Sequence, residues 1–431
     1  MMSTQAPRAA TPTIEPFERR LLYSTYVVSG ASDGPGTVAP SGSGTYTATT
    51  LRAAITAANA RPGADVVRIP PTVTGRIAVQ LGELVITGNL TIQGAGANVQ
   101  SIEGNGAARV FNVRPGVTAS INEVTVANGG SRFTGGGGIR NEGTLTLRRV
   151  TVRNNTSVEA DGGGLFNIGT LTIVDSTFSG NSAASGGGLF NGGTASVVNS
   201  TFARNVATGL GGGLYNRDGS TLRVASSTVS GNRADQGGGI ASTLNDPVNS
   251  SPGTRLHNTI VAGNTFDPTK TESEQSPRGP DLYGFFDAAS ANNLVGSLGY
   301  AKGLDPTKNL LGSIANLTPK ISPLLSPLGY YGGTTQTMPP LAGSRAINAG
   351  NNALLPAGVL TDQRGLPRVA GGRVDIGAVE TAAPVARPPG NGGTDGKDKD
   401  KDKDKDKDKD KGKKDKDKEK DKAKKQKKQK K

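Results

Sequence analysis

The chain has 431 residues, with 63 glycines, one histidine and no cysteine or tryptophan. The lack of cysteine excludes disulfide bonds and thiolate metal sites, and a single histidine excludes a multi-histidine metal centre. The net charge of +14 is concentrated near the C-terminus, because 20 lysines and 11 acidic residues between 397 and 431 supply +9 of it. The rest of the chain is close to neutral for its size, so a basic nucleic-acid-binding face on a folded domain is not indicated.

Residues 1–25 are predicted to form a disordered leader. They contain no apolar run of the length that a secretory signal peptide needs. The segment 15–22 reads Glu-Pro-Phe-Glu-Arg-Arg-Leu-Leu and resembles the LEPR-XLL motif, which is found near the N-terminus of large exported bacterial proteins. The resemblance implies export.

One short helix is predicted over residues 50–60, ahead of many strands. Its apolar residues recur at helical spacing on one face, at Leu51, Ala54, Ile55 and Ala58. Thr49 or Thr50 can cap its start, and Pro62 ends it. A lone amphipathic helix here would cover the first coil of a solenoid, whose apolar core and strand edges are otherwise exposed. The segment resembles the CSLREAI-type motif that opens many bacterial β-helix proteins, with Thr50 where that family has cysteine.

The middle of the chain repeats with a period near 25 residues. A Gly-Gly-Gly run followed by an aliphatic residue recurs five times, at Ile139, Leu165, Leu189, Leu214 and Ile240. Two residues later, the copies carry Asn141, Asn167, Asn191, Asn216 and Ser242. A second asparagine marks the turn of each unit, at Asn155, Asn181, Asn205, Asn232 and Asn264.

The strands between these positions are too short to bury an apolar face unless successive units stack. The sequence therefore predicts an all-β fold, a right-handed parallel β-helix over 26–310 with about 25 residues in each of about nine or ten coils. Equivalent aliphatic and asparagine positions would then form ladders with a spacing of about 4.8 Å. The pattern resembles the polymorphic outer-membrane-protein repeat, which implies surface exposure.

Residues 311–383 are predicted to close the C-terminal end of the solenoid. Segment 361–368 reads Thr-Asp-Gln-Arg-Gly-Leu-Pro-Arg, and segment 374–380 reads Val-Asp-Ile-Gly-Ala-Val-Glu. They resemble the choice-of-anchor Q domain of bacterial surface proteins. The charged residues of these segments are expected to form a salt-bridged cap near the open end: Asp362, Arg364, Arg368, Asp375 and Glu380.

A carbohydrate-active enzyme, either a polysaccharide lyase or a glycosidase, is the main alternative function, because parallel β-helices often act on polysaccharides. Glycosidases need two positioned carboxylates, whereas the single aspartates here stand beside turns, where aspartate is an ordinary corner residue: Asp161, Asp175, Asp218 and Asp235. His257 is predicted to point outward from a strand. We therefore expect a protein that is not an enzyme, with no catalytic, cofactor-binding or metal-binding residue assigned.

The tail, residues 384–431, is rich in lysine and aspartate and is predicted to be disordered. It would act as a solubilising spacer, or as a polycation that binds an anionic envelope polymer, lipid headgroups or nucleic acid in a salt-sensitive way. No aromatic residue interleaves with its lysines, so no specific nucleic-acid site is assigned.

The sequence as a whole predicts an exported protein located outside the cell or at its surface, in association with the outer membrane. No transmembrane segment is expected. The predicted role is structural, adhesive or glycan-contacting, with extracellular or envelope polysaccharide as the partner. A carbohydrate-active enzyme and a polyanion binder working through the tail are the two alternatives.

Overall fold

The structure is a computed structural model, and it describes residues 23–243, 253–266, 279–312 and 320–381. These residues form a parallel β-solenoid of about 7 turns, with about 26 residues in each turn. A regular turn contributes one short strand to each of four sheets, which we call C, A, B and D in chain order. The predicted leader motif and the charged tail lie outside the described residues.

The strands of each sheet are given in their hydrogen-bonded order. Sheet A contains Val38–Gly42, Thr45–Ala48, Thr25–Val28, Ala64–Arg68, Asn89–Gln93, Thr118–Asn122, Thr144–Arg148, Thr170–Val174, Thr194–Val198, Thr221–Ala225 and Thr254–His257. Sheet B contains Gly75–Ala78, Gln100–Glu103, Thr125–Ala127, Thr151–Arg153, Thr177–Ser179, Thr201–Ala203, Thr228–Ser230, Ile260–Val261, Leu294–Val295 and Leu310–Leu311. Sheet C contains Leu84–Ile86, Phe111–Val113, Ile139–Asn141, Leu165–Asn167, Leu189–Asn191, Leu214–Asn216, Ile240–Ser242 and Leu282–Gly284. Sheet D contains Gly130–Ser131, Thr156–Ser157, Ser182–Ala183, Val206–Ala207, Arg233–Ala234 and Thr265–Phe266.

Successive copies of the repeat are paired in parallel and in register, as the sequence predicts. Ile139 pairs with Leu165, and Leu165 with Leu189, and the pairing continues to Leu214 and Ile240. All five side chains are fully buried. The solenoid has about 7 turns, fewer than the predicted nine or ten. Its first strands, 25–48, include an antiparallel pair, Val38–Gly42 with Thr45–Ala48.

The predicted helix is present as Leu51–Asn59, and Thr50 caps it by accepting a hydrogen bond from the Ala53 backbone N–H at 3.0 Å. Its buried face consists of Leu51, Ala53, Ala54, Ile55 and Ala58, and it joins the apolar core that runs through the solenoid. The helix contacts the first strands of sheet A and the first strand of sheet C. Apolar burial therefore fixes it at the N-terminal end of the stack. Within the described ranges, no helix has the length and apolar composition that crossing a membrane requires.

The predicted asparagine ladders are also present, and they lie inside the corners. Between sheets C and A, the amide of Asn141 donates to Asn167, Asn167 to Asn191 and Asn191 to Asn216, each at 2.7 Å. Between sheets B and D, a second ladder of the same kind runs through Asn155, Asn181, Asn205, Asn232 and Asn264, with distances of 2.9–3.0 Å. A side-chain amide buried without such partners would lose the hydrogen bonds that it makes to water in the unfolded chain. The ladders therefore stabilise the stacked arrangement of the turns.

The second ladder ends on an aspartate. The amide of Asn264 donates to Asp281 at 2.8 Å, and the backbone N–H of Asn264 donates to the same carboxylate oxygen at 2.9 Å. Burial raises the pKa of Asp281 to about 7, against the lowering effect of the hydrogen bonds from Asn264 and Ser297 and of the charge on Lys320. The last rung of this ladder is therefore sensitive to pH near neutrality.

Non-glycine residues with left-handed backbone conformation form a column at the corner between sheets A and B. The column has φ values of 46–56° and consists of Glu123, Arg149, Asp175, Asn199, Ser226, Asn258 and Asn292. One such residue costs about 1–2 kcal/mol for most side chains. Its recurrence in seven successive turns indicates that the stacked neighbours favour this conformation, and it turns the chain sharply into sheet B.

The C-terminal segment, residues 320–381, lies along the outer face of sheet B. The Gln336 carbonyl accepts from the hydroxyl of Thr177 at 2.6 Å, and the Ala378 N–H donates to the hydroxyl of Thr228 at 3.0 Å. The Gly377 N–H donates to the Asn258 carbonyl at 2.8 Å. The described part of this segment thus covers the flank of the central turns, whereas the sequence led us to expect a cap at the open end.

Candidate functional site

A groove runs along the outer face of sheet B, in the part that the C-terminal segment leaves uncovered. We call it the sheet B groove. It has a volume of about 580 Å³, and its floor is made by sheet B strands. One wall is the loop around Asn98, and the other is the C-terminal segment at Leu328, Tyr330 and Gln336. Its volume lies in the range of ligand-binding pockets, roughly 300–1,000 Å³.

The groove extends along the solenoid axis. Arg76 lines it at one end, and Arg204 lines it next to a strand five steps further along the sheet. Since adjacent strands are about 4.8 Å apart, these ends are separated by about 24 Å. A linear chain molecule fits this shape better than a compact ligand does.

The hydrogen bonds of a column of outward-facing threonines on sheet B show which turns are covered and which are open to the groove. The hydroxyls of Thr125, Thr177 and Thr201 donate to Ala97 O, Gln336 O and the Gln363 side chain, all at 2.6 Å. Thr228 accepts from Ala378.

Thr151 belongs to the same column and lines the groove. It is 2 % exposed, and its hydroxyl has no hydrogen-bond partner among the described residues. A buried hydroxyl without a partner costs about 1–3 kcal/mol. The loop at Ala97 occupies the turn before Thr151, and the C-terminal segment begins at the turn after it.

The charges in the groove are three arginines and one glutamate, a net charge of +2. Glu103 is held by Arg76 at 3.2 Å and by Arg153 at 3.6 Å, and it also accepts from the Asn128 amide at 3.0 Å. Arg204 is exposed, and the described residues provide no ion-pair partner for it. The groove therefore has uncompensated positive charge.

Tyr330 places an aromatic ring in the wall of the groove and is 48 % exposed. Burial raises the pKa of its hydroxyl, and the nearby positive charge of Arg153 acts in the opposite direction. An amphipathic ring beside a guanidinium can contact the apolar face of a ligand while the arginine binds its polar groups.

The loop that forms the opposite wall is held by Gln100. Its side-chain carbonyl accepts from the Ala95 N–H at 2.8 Å, and its amide donates to the carbonyls of Pro70 and Val73 at 2.7 and 2.9 Å. Because Gln100 is buried and lies on a sheet B strand, the loop is tied to the rigid stack. The groove is therefore formed before any ligand binds.

A second cavity, of about 770 Å³, lies on the outer face of sheet C. Most of its charged groups are already paired: Arg109 binds Glu83 at 2.8 Å, and Arg140 binds Glu142 at 2.7 Å while its guanidinium stacks on Phe166. Asp161 also lines this cavity. Burial raises the pKa of Asp161, although hydrogen bonds with Ser185 act in the opposite direction.

The four aspartates that the sequence singled out do not converge. Asp161 lines the sheet C cavity, whereas Asp175 lies in the left-handed column between sheets A and B. Burial raises the pKa of Asp175 to about 6, opposed first by the hydrogen bond with Asn199 and then by the charges of Arg148 and Arg149.

Asp218 and Asp235 are partly exposed in turns. His257 is in a sheet A strand, half-buried, with its ring nitrogen 3.1 Å from the Ala289 carbonyl. Among the described residues, no group of three or more histidine, cysteine or acidic side chains could hold a metal ion.

The charged residues of the C-terminal segment do come together, and their bonds are internal. Asp362 binds Arg364 at 2.8 Å, and buried Arg368 lies 3.7 Å from Glu380. Asp375 accepts from the backbone N–H groups of Asn348 and Thr381 at 2.6 and 2.7 Å. This network folds the segment upon itself where it meets sheet B, although the Nε and Nη1 atoms of buried Arg368 have no hydrogen-bond partner among the described residues. Its location differs from the expected cap at the open end.

The comparisons with known proteins give no family for this chain. No protein-family model matches the sequence, and no curated protein matches it either. The resemblances to the outer-membrane-protein repeat and to the anchor segment therefore stay predictions.

Sequence reasoning missed the sheet B groove. Arg76, Arg153, Arg204 and Tyr330 are far apart in the chain and meet only through the stacking of turns and the path of the C-terminal segment. The periodic threonines at the start of five successive sheet B strands, from Thr125 to Thr228, were the available signal, since they face outward and recur with the repeat.

Proposed function

We propose that the protein is an exported, surface-displayed β-solenoid that contacts glycan without chemically changing it. The observation that carries the proposal is the sheet B groove, which is elongated, preformed and lined by arginines, side-chain amides and a tyrosine ring. Such a combination of polar groups and an exposed ring suits saccharides, which present hydroxyls at their edges and C–H groups on their faces.

The chemistry of the groove favours binding over catalysis. Glycoside hydrolysis uses two carboxylic groups placed on either side of the bond that is cleaved. The groove has one carboxylate, Glu103, and two arginines and an asparagine already engage it. These bonds engage the carboxylate oxygens that a substrate would have to contact.

The proposal is tested by locating the protein and assaying its action on sugars. Source cells are fractionated, and intact cells are treated with protease to find out whether the protein is accessible at the surface. We expect recovery at the surface or in the medium, together with binding to envelope polysaccharide and no release of reducing ends. Recovery with soluble cytoplasm, or catalytic release of reducing ends or unsaturated uronates, would contradict the proposal.

A carbohydrate-active enzyme remains a second candidate because of the sheet C cavity. There Asp161 has a raised pKa, as a general acid requires, and Glu83, Glu142 and Glu159 line the same cavity. If the protein cleaves a polysaccharide, Asp161→Asn should abolish the cleavage while Asp218→Asn, a turn residue outside both cavities, should not. A third candidate, polyanion binding by the tail, is tested by deleting 397–431 and repeating the cell fractionation at low and high salt.

A further inference from the structure

We infer that the sheet B groove binds an acidic saccharide, with Arg153 and Arg204 contacting its anionic groups, Tyr330 its ring face and Thr151 one of its hydroxyls. This inference rests on the proposed function and narrows it from glycans in general to acidic ones.

Charge is the first reason. Glu103 partly neutralises Arg76 and Arg153, and Arg204 has no ion-pair partner in the described part of the chain, so the side chains that line the groove carry a net charge of +2. A guanidinium binds a carboxylate through two parallel hydrogen bonds, which gives both strength and orientation. A neutral saccharide would use the same surface without gaining this attraction.

The second reason is Thr151, an observation independent of charge. Every other threonine in its column has a hydroxyl engaged by the loop at Ala97 or by the C-terminal segment. Thr151 lies between the two and its hydroxyl bonds to neither. It is 2 % exposed, and the hydroxyl has no hydrogen-bond partner among the described residues. Because Thr151 lies on the groove floor, a ligand hydroxyl can form with it the hydrogen bond that protein groups form with the threonines of the neighbouring turns.

The third reason is the register of the arginines. Arg153 follows Thr151 in its strand, and Arg204 stands just after the strand two steps further along sheet B. The backbone positions are therefore about 10 Å apart along the axis. Two guanidinium groups at this separation on one rigid sheet suit a linear polymer with anionic groups along its length. Arg153 and Arg204 can each bind one anionic group of such a polymer without distortion of the protein.

The experiment measures binding of the full-length protein to two probes by isothermal titration calorimetry. The probes are an oligogalacturonate and the same oligomer with its carboxylates methyl-esterified, so the sugar chain is the same and each charged carboxylate is replaced by a neutral methyl ester. The groove variant is Arg153→Gln/Arg204→Gln, and the control variant is Arg132→Gln/Arg217→Gln, which removes the same charge outside the groove. The wild type and every variant keep the lysine-rich tail, so its contribution to binding is common to them.

We expect the wild type to bind the acidic oligomer at least tenfold more tightly than its ester. The groove variant should lose at least tenfold in affinity for the acid, and the control variant less than twofold. Thr151→Val should weaken binding about threefold or more without lowering the melting temperature, and Arg204→Gln alone serves if the double variant fails to fold. Equal binding of acid and ester, or equal losses in groove and control variants, would overturn the inference and leave glycan contact intact. Binding of neither probe, nor of any neutral polysaccharide, would overturn both.

Discussion

Asp281→Asn should stabilise the protein at pH 8 and have little effect at pH 4. Asp281 ends the Asn155–Asn264 ladder, and burial raises the pKa of its carboxyl to about 7. In the unfolded chain its pKa is about 3.9. Below that value both states bind the proton, so the folded state carries no penalty. Between the two values, stability falls by about 1.4 kcal/mol per pH unit, and the loss is complete above the folded-state pKa.

The total penalty is about 4 kcal/mol at pH 8, from about three pH units. An asparagine at 281 keeps an oxygen to accept from Asn264 and has no charge, so it should remove most of this penalty. Urea unfolding followed by circular dichroism at pH 4, 6 and 8 measures the difference. We expect the free energy of unfolding of Asp281→Asn, relative to that of the wild type, to increase with rising pH. A variant that is no more stable than the wild type at pH 8 would refute the reasoning.

Asp287→Asn is the matched control, because its pKa shift has the opposite sign. Burial acts to raise the pKa of Asp287, but hydrogen bonds from Ala289 and Arg255 and the charges of Arg255 and Arg223 together lower it. Its ionised form therefore stabilises the fold above the unfolded-state pKa, and this contribution is lost as the pH falls through the lowered value. Asp287→Asn should destabilise the protein at neutral pH.

The remaining predictions concern stability. Asn181→Ala should cost about 2–4 kcal/mol in urea unfolding, because Asn181 bonds both ladder neighbours and the Val152 carbonyl; a cost below 1 kcal/mol would count against the ladder. Gly163→Ala should prevent folding, since an added Cβ would lie 2.4 Å from the Ser182 carbonyl oxygen, whereas a Cβ at Gly34, whose φ is not positive, would meet no atom within 4 Å; soluble expression of Gly34→Ala but not of Gly163→Ala is the expected result. Arg364→Ala should lower the melting temperature by several degrees through loss of its bonds to Asp362, and an unchanged value would show that the network does not hold the C-terminal segment.

The stacked part of the fold could be predicted from the sequence because its determinants are local and repeated. Each copy of Gly-Gly-Gly-Ile/Leu-x-Asn sets one corner and one core position. The signal recurs from Ile139 to Ile240, with Ser242 in place of the asparagine in the last copy. The helix was equally accessible, since its cap at Thr50 and its apolar face both lie within ten residues. Where the period is lost, as in strands 25–48, the order of pairing could not be predicted.

The site could not be predicted, because it depends on where the C-terminal segment lies. The sequence predicted that charged residues such as Asp362 and Arg364 form a salt-bridged cap at the open end. The structure contains their ion pair, but within the C-terminal segment on sheet B. Nothing in their sequence says that Gln336, Gln363 and Ala378 bond to sheet B threonines 150 or more residues earlier in the chain. That contact decides which threonines are covered and leaves Thr151 on the floor of the groove.

The central claim, that glycan is bound at the sheet B groove, is tested most directly by hydrogen exchange of the full chain with and without polysaccharide purified from the source envelope. The account predicts slower exchange on binding in peptides covering 97–103, 151–154 and 328–336, which line the groove. Slower exchange confined to the sheet C cavity, or binding that is lost on removal of 397–431 with no change in the groove peptides, would contradict it.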